Sequence, residues 1–409
     1  MSPAQDATAE PELSGLTIGD PMGQPVPNPV TVPTPDETWD LSEGHAWVFY
    51  GEGKPEPALT QPVIISDGFN LGPSDPKLFY QFLESKYPFI SELRRCGKDV
   101  ILLGFNERSA SILTNVRAAE EAIEKTIEER SDTTSLVVGG FSMGGLVTRY
   151  ALAKMEKEGR DHQTSVYFSF DTPHRGASIP VGVQAFSYFI PFPNNPFARQ
   201  MNSPAARQML WRHYDKGSGE IKVAKERLEL LAELERVGGW PQGPRLLGVA
   251  NGRGDGVGLP DVKPGHVALH VDRIYPGTTF HIQDQGKDVT VAHLNRRFPE
   301  KEETIKTSGF PELDGAPGGT LNTYGILAKF LSTFLGDVDL RHEEISFVPS
   351  VSAVTIRDIE RQADLYTKVD DLDPSESALH EFICSSTTTR HAVVTEELGT
   401  WLIERFDHS

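Results

Sequence analysis

Two cysteines in 409 residues, Cys96 and Cys384, are too few for a disulfide framework and allow one bridge at most. Cys384 follows Phe382 and Ile383, which reads as a buried thiol at a strand end. Basic residues are scarce as well: 39 Lys and Arg stand against 58 Asp and Glu, a formal net charge of -19, with no Lys/Arg-rich run. Phosphate-backbone recognition needs a basic face, so a nucleic-acid partner is excluded and a neutral or weakly polar small molecule is expected. Long apolar runs are missing. Stretches such as 136–138 and 185–191 fall far short of a bilayer span, so no integral membrane segment is expected. Residues 1–20 lack the basic start and apolar centre of a signal peptide, and a leader already removed would leave no trace. The expectation is a soluble chain, either cytoplasmic or secreted.

What is present is ordinary for a folded protein: 38% apolar and 24% charged residues, enough to bury a substantial core. Residues 1–40, rich in Pro, Gly, Thr and acids without periodicity, read as an extended N-terminal arm. From Trp47 onward short apolar runs alternate with helical patterns. Strands are expected at 46–50, 62–66 (PVIIS), 99–105 (DVILLGF), 135–138 and 166–170, and helices at 77–96, 111–130 and 145–155. That alternation implies parallel βαβ units, hence an α/β fold with a doubly wound, mostly parallel sheet.

Beyond Pro180 the rhythm breaks. An aromatic and proline-rich stretch, 186–197, and helical segments to about 236 suggest a cap or lid insertion over 181–240. Period-two alternation from His266 to Leu294, with Gly286 at a turn, suggests a small β insertion; with a helix at 321–335 it accounts for 261–339. The core is assigned to 41–180, 241–260 and 340–409, the run at 347–349 and the helix from Thr395 to Arg405 returning to it.

Gly140-Phe141-Ser142-Met143-Gly144 spells G-x-S-x-G between an apolar strand and an apolar helix. That context is what a nucleophile elbow requires: a sharp strand-to-helix turn forces the serine into unusual dihedrals, and small residues two positions either side avoid clashes. A serine hydroxyl then needs a base and donors for the developing oxyanion. One donor is the backbone N–H of Met143, at a helix N-terminus; a second is expected from the loop after an early strand, here 67–70.

On three segments the chain resembles the bacterial lipases and esterases of the α/β-hydrolase superfamily: the GFSMGG elbow, the glycine loop DGF at 67–69, and DTPHRGA at 171–177. The resemblance runs from about residue 62 to 180, with fainter echoes at 245–260 and in the tail around His391. It implies a Ser, acid, His triad in chain order, oxyanion donors at Met143 and Phe69, and acyl-ester substrates. Two positions depart from the pattern, Asp67 where a histidine is customary and Asp171 where a glycine is customary.

The base is expected to be a late histidine in a loop before the last helix, and His391 fits. His380 is its nearest rival but precedes the last strand, and His174 in TPHRG reads as structural. Two aspartates suit the acid. Asp255, in the glycine-rich loop after the strand at 245–250, is favoured; Asp171, ending the preceding strand, is the alternative, with a later residue such as Asp314 behind both. Too few carboxylates accompany the glycines near Asp255 for a calcium loop, and no cofactor or metal is called for. Phe186, Tyr188 and Phe189 are candidates for an acyl pocket or lid. The expected activity is hydrolysis of carboxylic esters through an acyl-serine. An acyltransferase or thioesterase using the same intermediate, and a non-catalytic binding module on a hydrolase scaffold, are the competing functions.

Overall fold

Runs such as PVIIS and DVILLGF are apolar almost throughout, a pattern that suits a strand covered on both faces. The computed structural model describes residues 25–54, 58–191, 195–273, 275–335 and 337–406. In it these runs become β3 (Pro62–Ser66) and β4 (Asp99–Phe105), buried along their whole length. They follow β1 (Glu37–Leu41) and β2 (Gly44–Phe49), and are joined by β5 (Leu136–Phe141) and β6 (Thr164–Phe170). After a short hairpin, β7 (His213–Tyr214) with β8 (Ile221–Lys222), the main chain returns to the sheet at β9 (Arg245–Ala250).

Strands β10 (Val267–Val271), β11 (Thr278–His281), β12 (Val289–Arg297) and β13 (Glu300–Thr307), with β15 (Val338–Leu340), form a separate antiparallel sheet. β14 (Gly318–Leu321) pairs with β16 (Ile345–Pro349), and β17 (Glu381–Cys384) completes the large sheet. Its order is β1-β2-β4-β3-β5-β6-β9-β17. β1 pairs antiparallel with β2, and β2 with β4, while every later pair is parallel. The chain moves outward from β3 to β4 and then crosses to β5 on β3's other side. In such sheets ligands usually bind outside the carboxyl ends of the strands at that reversal, here β3 and β5.

Alternate strand residues feed two cores. Ile64, Ile101, Val138 and Tyr167 pack with α3 (Ile112–Glu129) and α4 (Met143–Lys157) on one face. Val63, Leu102, Val137 and Phe168 pack with α1 (Pro76–Leu83), α2 (Phe89–Arg95) and the C-terminal helix Glu396–Phe406 on the other. Between β6 and β9 lie α5 (Val181–Phe189), α6 (Pro196–Met201), α7 (Pro204–Met209) and α8 (Lys225–Arg236). Among the described residues no helix is long and apolar enough to cross a membrane.

Four expectations need correction or narrowing. Part of the proposed arm, 1–24, lies outside the described residues; Val26 and Val32 pack on the second core, and Glu37–Leu41 is an edge strand. The helix expected over 77–96 is two helices because Pro88, the residue before α2, cannot sit in a helix interior. β13 was not expected: EKEETIKT is charge-rich and exposed at most positions, so it is held by pairing with β12 and shows no apolar alternation. The run 347–349 pairs with β14 and not with the large sheet.

Candidate active site

β5 ends at Phe141 and α4 begins at Met143, so Ser142 alone makes the turn. Its dihedrals, φ 52° and ψ -121°, lie where a residue with a Cβ is strained. The turn brings α4 hard against the loop after β3: a Cβ placed on Gly144 would sit 2.4 Å from the Ser66 carbonyl oxygen and 2.6 Å from that of Asp67. Only glycine permits that approach, and it sets the elbow beside the loop that carries Phe69. Met143 is the first residue of α4, so its N–H is among the donors a helix leaves without an intrahelical acceptor. In the facing loop Gly68 donates its N–H to its neighbour Asp67 Oδ1 at 2.7 Å, and Phe69 is buried next to it. Asp67, in the position where histidine is customary, accepts from Ser74 Oγ at 2.6 Å and faces Arg108 Nη1 at 3.7 Å.

His391 Nε2 lies 2.8 Å from Ser142 Oγ, and its Nδ1 lies 2.6 Å from Asp171 Oδ2. Asp171 and His391 have no exposed surface and Ser142 is 2% exposed. Asp171 follows the last residue of β6 and is held by its neighbours: its N–H donates to Val249 O at 2.7 Å, and its Oδ1 accepts from Asn251 N at 3.0 Å. Its φ of 47° is left-handed. Glycine, asparagine and aspartate tolerate that region best, which gives a physical reason why aspartate can occupy a position where glycine is customary.

The loop bearing His391 is pinned from two sides. Asn251 Nδ2 donates to Thr389 Oγ1 at 2.7 Å and to Val393 O at 2.8 Å, while His391 N donates to Thr320 O at 2.8 Å. The Phe347 ring meets the imidazole edge-on at 4.8 Å between centroids. Room for the carboxylate comes from Gly319, where a Cβ would fall 2.1 Å from Asp171 Oδ2. Beside this loop lies an open cleft of about 430 Å³, bordered by Leu259, Val262, Thr320, Glu344 and Arg390.

Of the expected residues, Ser142, His391 and the alternative acid Asp171 come together; the favoured acid, Asp255, does not join them. Asp255 is partly exposed, forms an ion pair with Arg253 and accepts from Val257 N at 3.0 Å. Its pKa is lowered chiefly by that arginine. The cause is loop length: β9 ends at Ala250, so Asn251 occupies the strand-end position, and Asp255 stands four residues further on beside Gly256, whose φ is 74°. Asp314 is buried elsewhere, accepting from Gln283 N at 2.8 Å.

The aromatic candidates take packing positions. Phe186 is enclosed edge-on by Tyr275 and Phe280, Phe189 is buried beside Tyr275 with Arg296 over its ring, and half-buried Tyr188 faces Tyr214 and Lys216. Phe186 and Phe189 join α5 to the antiparallel sheet, so the expected acyl pocket does not rest on them. Phe192 lies outside the described residues. His174 is buried, 3.0 Å from Ser169 Oγ and 3.3 Å from Arg149 Nη1. Burial and the neighbouring Arg149 hold its pKa well below the ordinary histidine value. His380 accepts from Leu246 N at 2.8 Å. Cys96 and Cys384 are both free. Asn251 and Thr389 were missed; they carry no recognisable motif, and their roles follow from which strands are neighbours.

The strand order, the parallel sheet with its switch at β3, and a strained serine between β5 and α4 define an α/β-hydrolase fold. No family model matches the sequence, and no curated protein does. Among solved structures, a lipase of Bacillus licheniformis in mature form is similar at 12% identity over 51% of this chain and 72% of its own, with a TM-score of 0.31. A thermostable carboxylesterase from a metagenomic library gives 14% identity over 53% and 79%, TM-score 0.31. A Pyrobaculum calidifontis esterase gives 11% over 52% and 65%, TM-score 0.33. Likeness at this level assigns no activity to the present chain.

Proposed function

We propose that the protein is a serine hydrolase of carboxylic esters, with Ser142 as nucleophile, His391 as base and then acid, and Asp171 as the group that orients the imidazole. The observation that carries this reading is the unbroken line Ser142 Oγ, His391 Nε2, His391 Nδ1, Asp171 Oδ2, with contacts of 2.8 and 2.6 Å across three separate chain segments. With its Nδ1–H donated to Asp171, the neutral ring presents an unprotonated Nε2 to the serine.

As Ser142 Oγ adds to the ester carbonyl, its proton passes to His391 Nε2, and Asp171, still ionised, stabilises the imidazolium. The carbonyl oxygen gains the negative charge and is received by the N–H groups of Met143 and Phe69, at the end of a helix whose dipole favours an anion. Collapse breaks the bond to the alcohol oxygen, which leaves with the proton from His391. Water then repeats the sequence on the acyl-serine, releasing the acid and restoring Ser142. Burial of the three side chains supports this reading, because fixed dipoles act more strongly where water is excluded. The helical segment 181–240 is the cap in this scheme, and the strongly negative chain favours a neutral ester over an anionic one.

Stopped-flow release of p-nitrophenol from a p-nitrophenyl ester tests the proposal. A burst matching the enzyme concentration, followed by slower turnover and absent from Ser142→Ala, is expected; turnover that persists in Ser142→Ala overturns it. Adding an alcohol acceptor separates hydrolysis from acyl transfer by the product formed.

A further inference from the structure

A second cavity, of about 680 Å³, lies between α4, α8 and the loop after β6, and Ser142, Asp171 and His391 do not line it. Its volume is within the roughly 300–1,000 Å³ of small-molecule sites. Two of its lining arginines are buried without a carboxylate among the described residues. Arg149, 8% exposed, donates through Nε to Gly239 O at 2.7 Å, lies 3.3 Å from His174 Nδ1 through Nη1, and stacks 3.5 Å above the Trp240 ring. Arg227, 7% exposed, donates only to main-chain carbonyls: Gln208 O at 3.0 Å, Met209 O at 3.4 Å and Arg175 O at 2.8 Å.

The other two arginines at the cavity are matched, Arg175 with Asp358 at 3.4 Å and Arg212 with Glu360 at 3.3 Å. Burial depresses Arg149 to about 9 and Arg227 to about 10. A chain with a net charge of -19 has acids in excess, yet among the described residues neither of these two desolvated guanidinium groups has a carboxylate in direct contact; Asp358 and Glu360, already paired at the cavity, act on Arg227 only through space. The rim is apolar. Leu228 and Leu231, on consecutive turns of α8, are 55% and 40% exposed, among the few large apolar side chains so exposed in the described chain. Cationic floor and leucine rim together match a molecule with a single anionic head and an apolar tail.

We propose that this cavity is a second binding site, distinct from the serine centre, for an amphipathic carboxylate such as a free fatty acid. Hydrogen bonds engage Arg149 through Nε and Nη1 and Arg227 through Nη1 and Nη2, which leaves N–H groups on both for one carboxylate, and the leucines supply an apolar contact that inorganic phosphate cannot use. The site does not depend on the esterase reading.

Titration calorimetry of the whole protein with decanoate, below the concentration at which it forms micelles, tests this. One decanoate per chain is expected, with an affinity unchanged by Ser142→Ala. Decanol, lacking the charge, and acetate, lacking the tail, should each bind at least about tenfold more weakly. Arg227→Met should weaken decanoate at least about tenfold; Leu231→Glu, at an exposed position where folding is not at stake, should do the same by placing a like charge on the rim. Equal binding of decanol, binding of inorganic phosphate as tight as decanoate, loss of binding in Ser142→Ala, or an affinity unmoved by Leu231→Glu would each overturn it.

Discussion

Asp171 and His391, 220 positions apart, meet at 2.6 Å in a fully buried contact, and Gly319 on a third segment leaves the space in which they meet. In the proposed triad the acid therefore comes from the end of β6 and not from the loop after β9. Exchanging Asp171 for Asn removes the acceptor for Nδ1–H and permits the wrong tautomer, so kcat should fall on the order of 10⁴-fold. Asp255→Asn, which breaks only a partly exposed pair with Arg253, should leave kcat within about threefold. Steady-state kinetics of the two variants side by side checks this.

Gly319→Ala places a methyl where Asp171 Oδ2 sits and within 3.1 Å of Asn251 Cβ. The carboxylate must move, and a displacement near 1 Å costs about 10²-fold in rate. The expected result is a kcat loss of that order with a stability change of only about 1–3 kcal/mol, read from urea unfolding. A silent Gly319→Ala would mean that Asp171 need not stay in place.

Strain at the elbow predicts an opposition between stability and activity. Ser142 holds a positive φ that glycine adopts without penalty. Ser142→Gly should be more stable than Ser142→Ala by about 1 kcal/mol, while both lack the nucleophile. Denaturant midpoints of the two inactive variants measure the difference directly.

Asp314 supplies a pH dependence. Burial raises its pKa from 3.8 to about 6, with the N–H of Gln283 partly opposing the rise. Between those values the folded state holds a proton that the unfolded state has released, so stability falls as pH rises from about 4 to about 6 and the penalty persists above. Asp314→Asn should remove that slope and gain roughly 2–3 kcal/mol at pH 8, by the conversion of about 1.4 kcal/mol per pKa unit. Urea unfolding at pH 4 and pH 8 tests the sign; an equal gain at both values would contradict it.

The elbow was legible because its constraints are local. A buried strand, a glycine-flanked serine and an apolar helix are contiguous, and each leaves a mark in the sequence around Ser142. His391 was readable for a similar reason, its position between the last strand and the last helix. The acid was not, because Asp171 and Asp255 both follow strands that end at the same edge of the sheet. Choosing between them requires knowing that β9 stops at Ala250 and that Asn251 turns its N–H toward Asp171. Phe186 and Phe189 stayed open between packing and recognition because aromatic residues serve both equally well in composition; the presence of Tyr275 and Phe280 around them puts them in packing positions.

The most direct test of the central claim is covalent: treat the folded protein with a fluorophosphonate and locate the adduct by peptide mass spectrometry. The account predicts one adduct per chain, on the peptide containing Ser142, lost in Ser142→Ala and strongly slowed in Asp171→Asn but not in Asp255→Asn. An adduct at another residue, or undiminished labelling of Ser142→Ala, would contradict it.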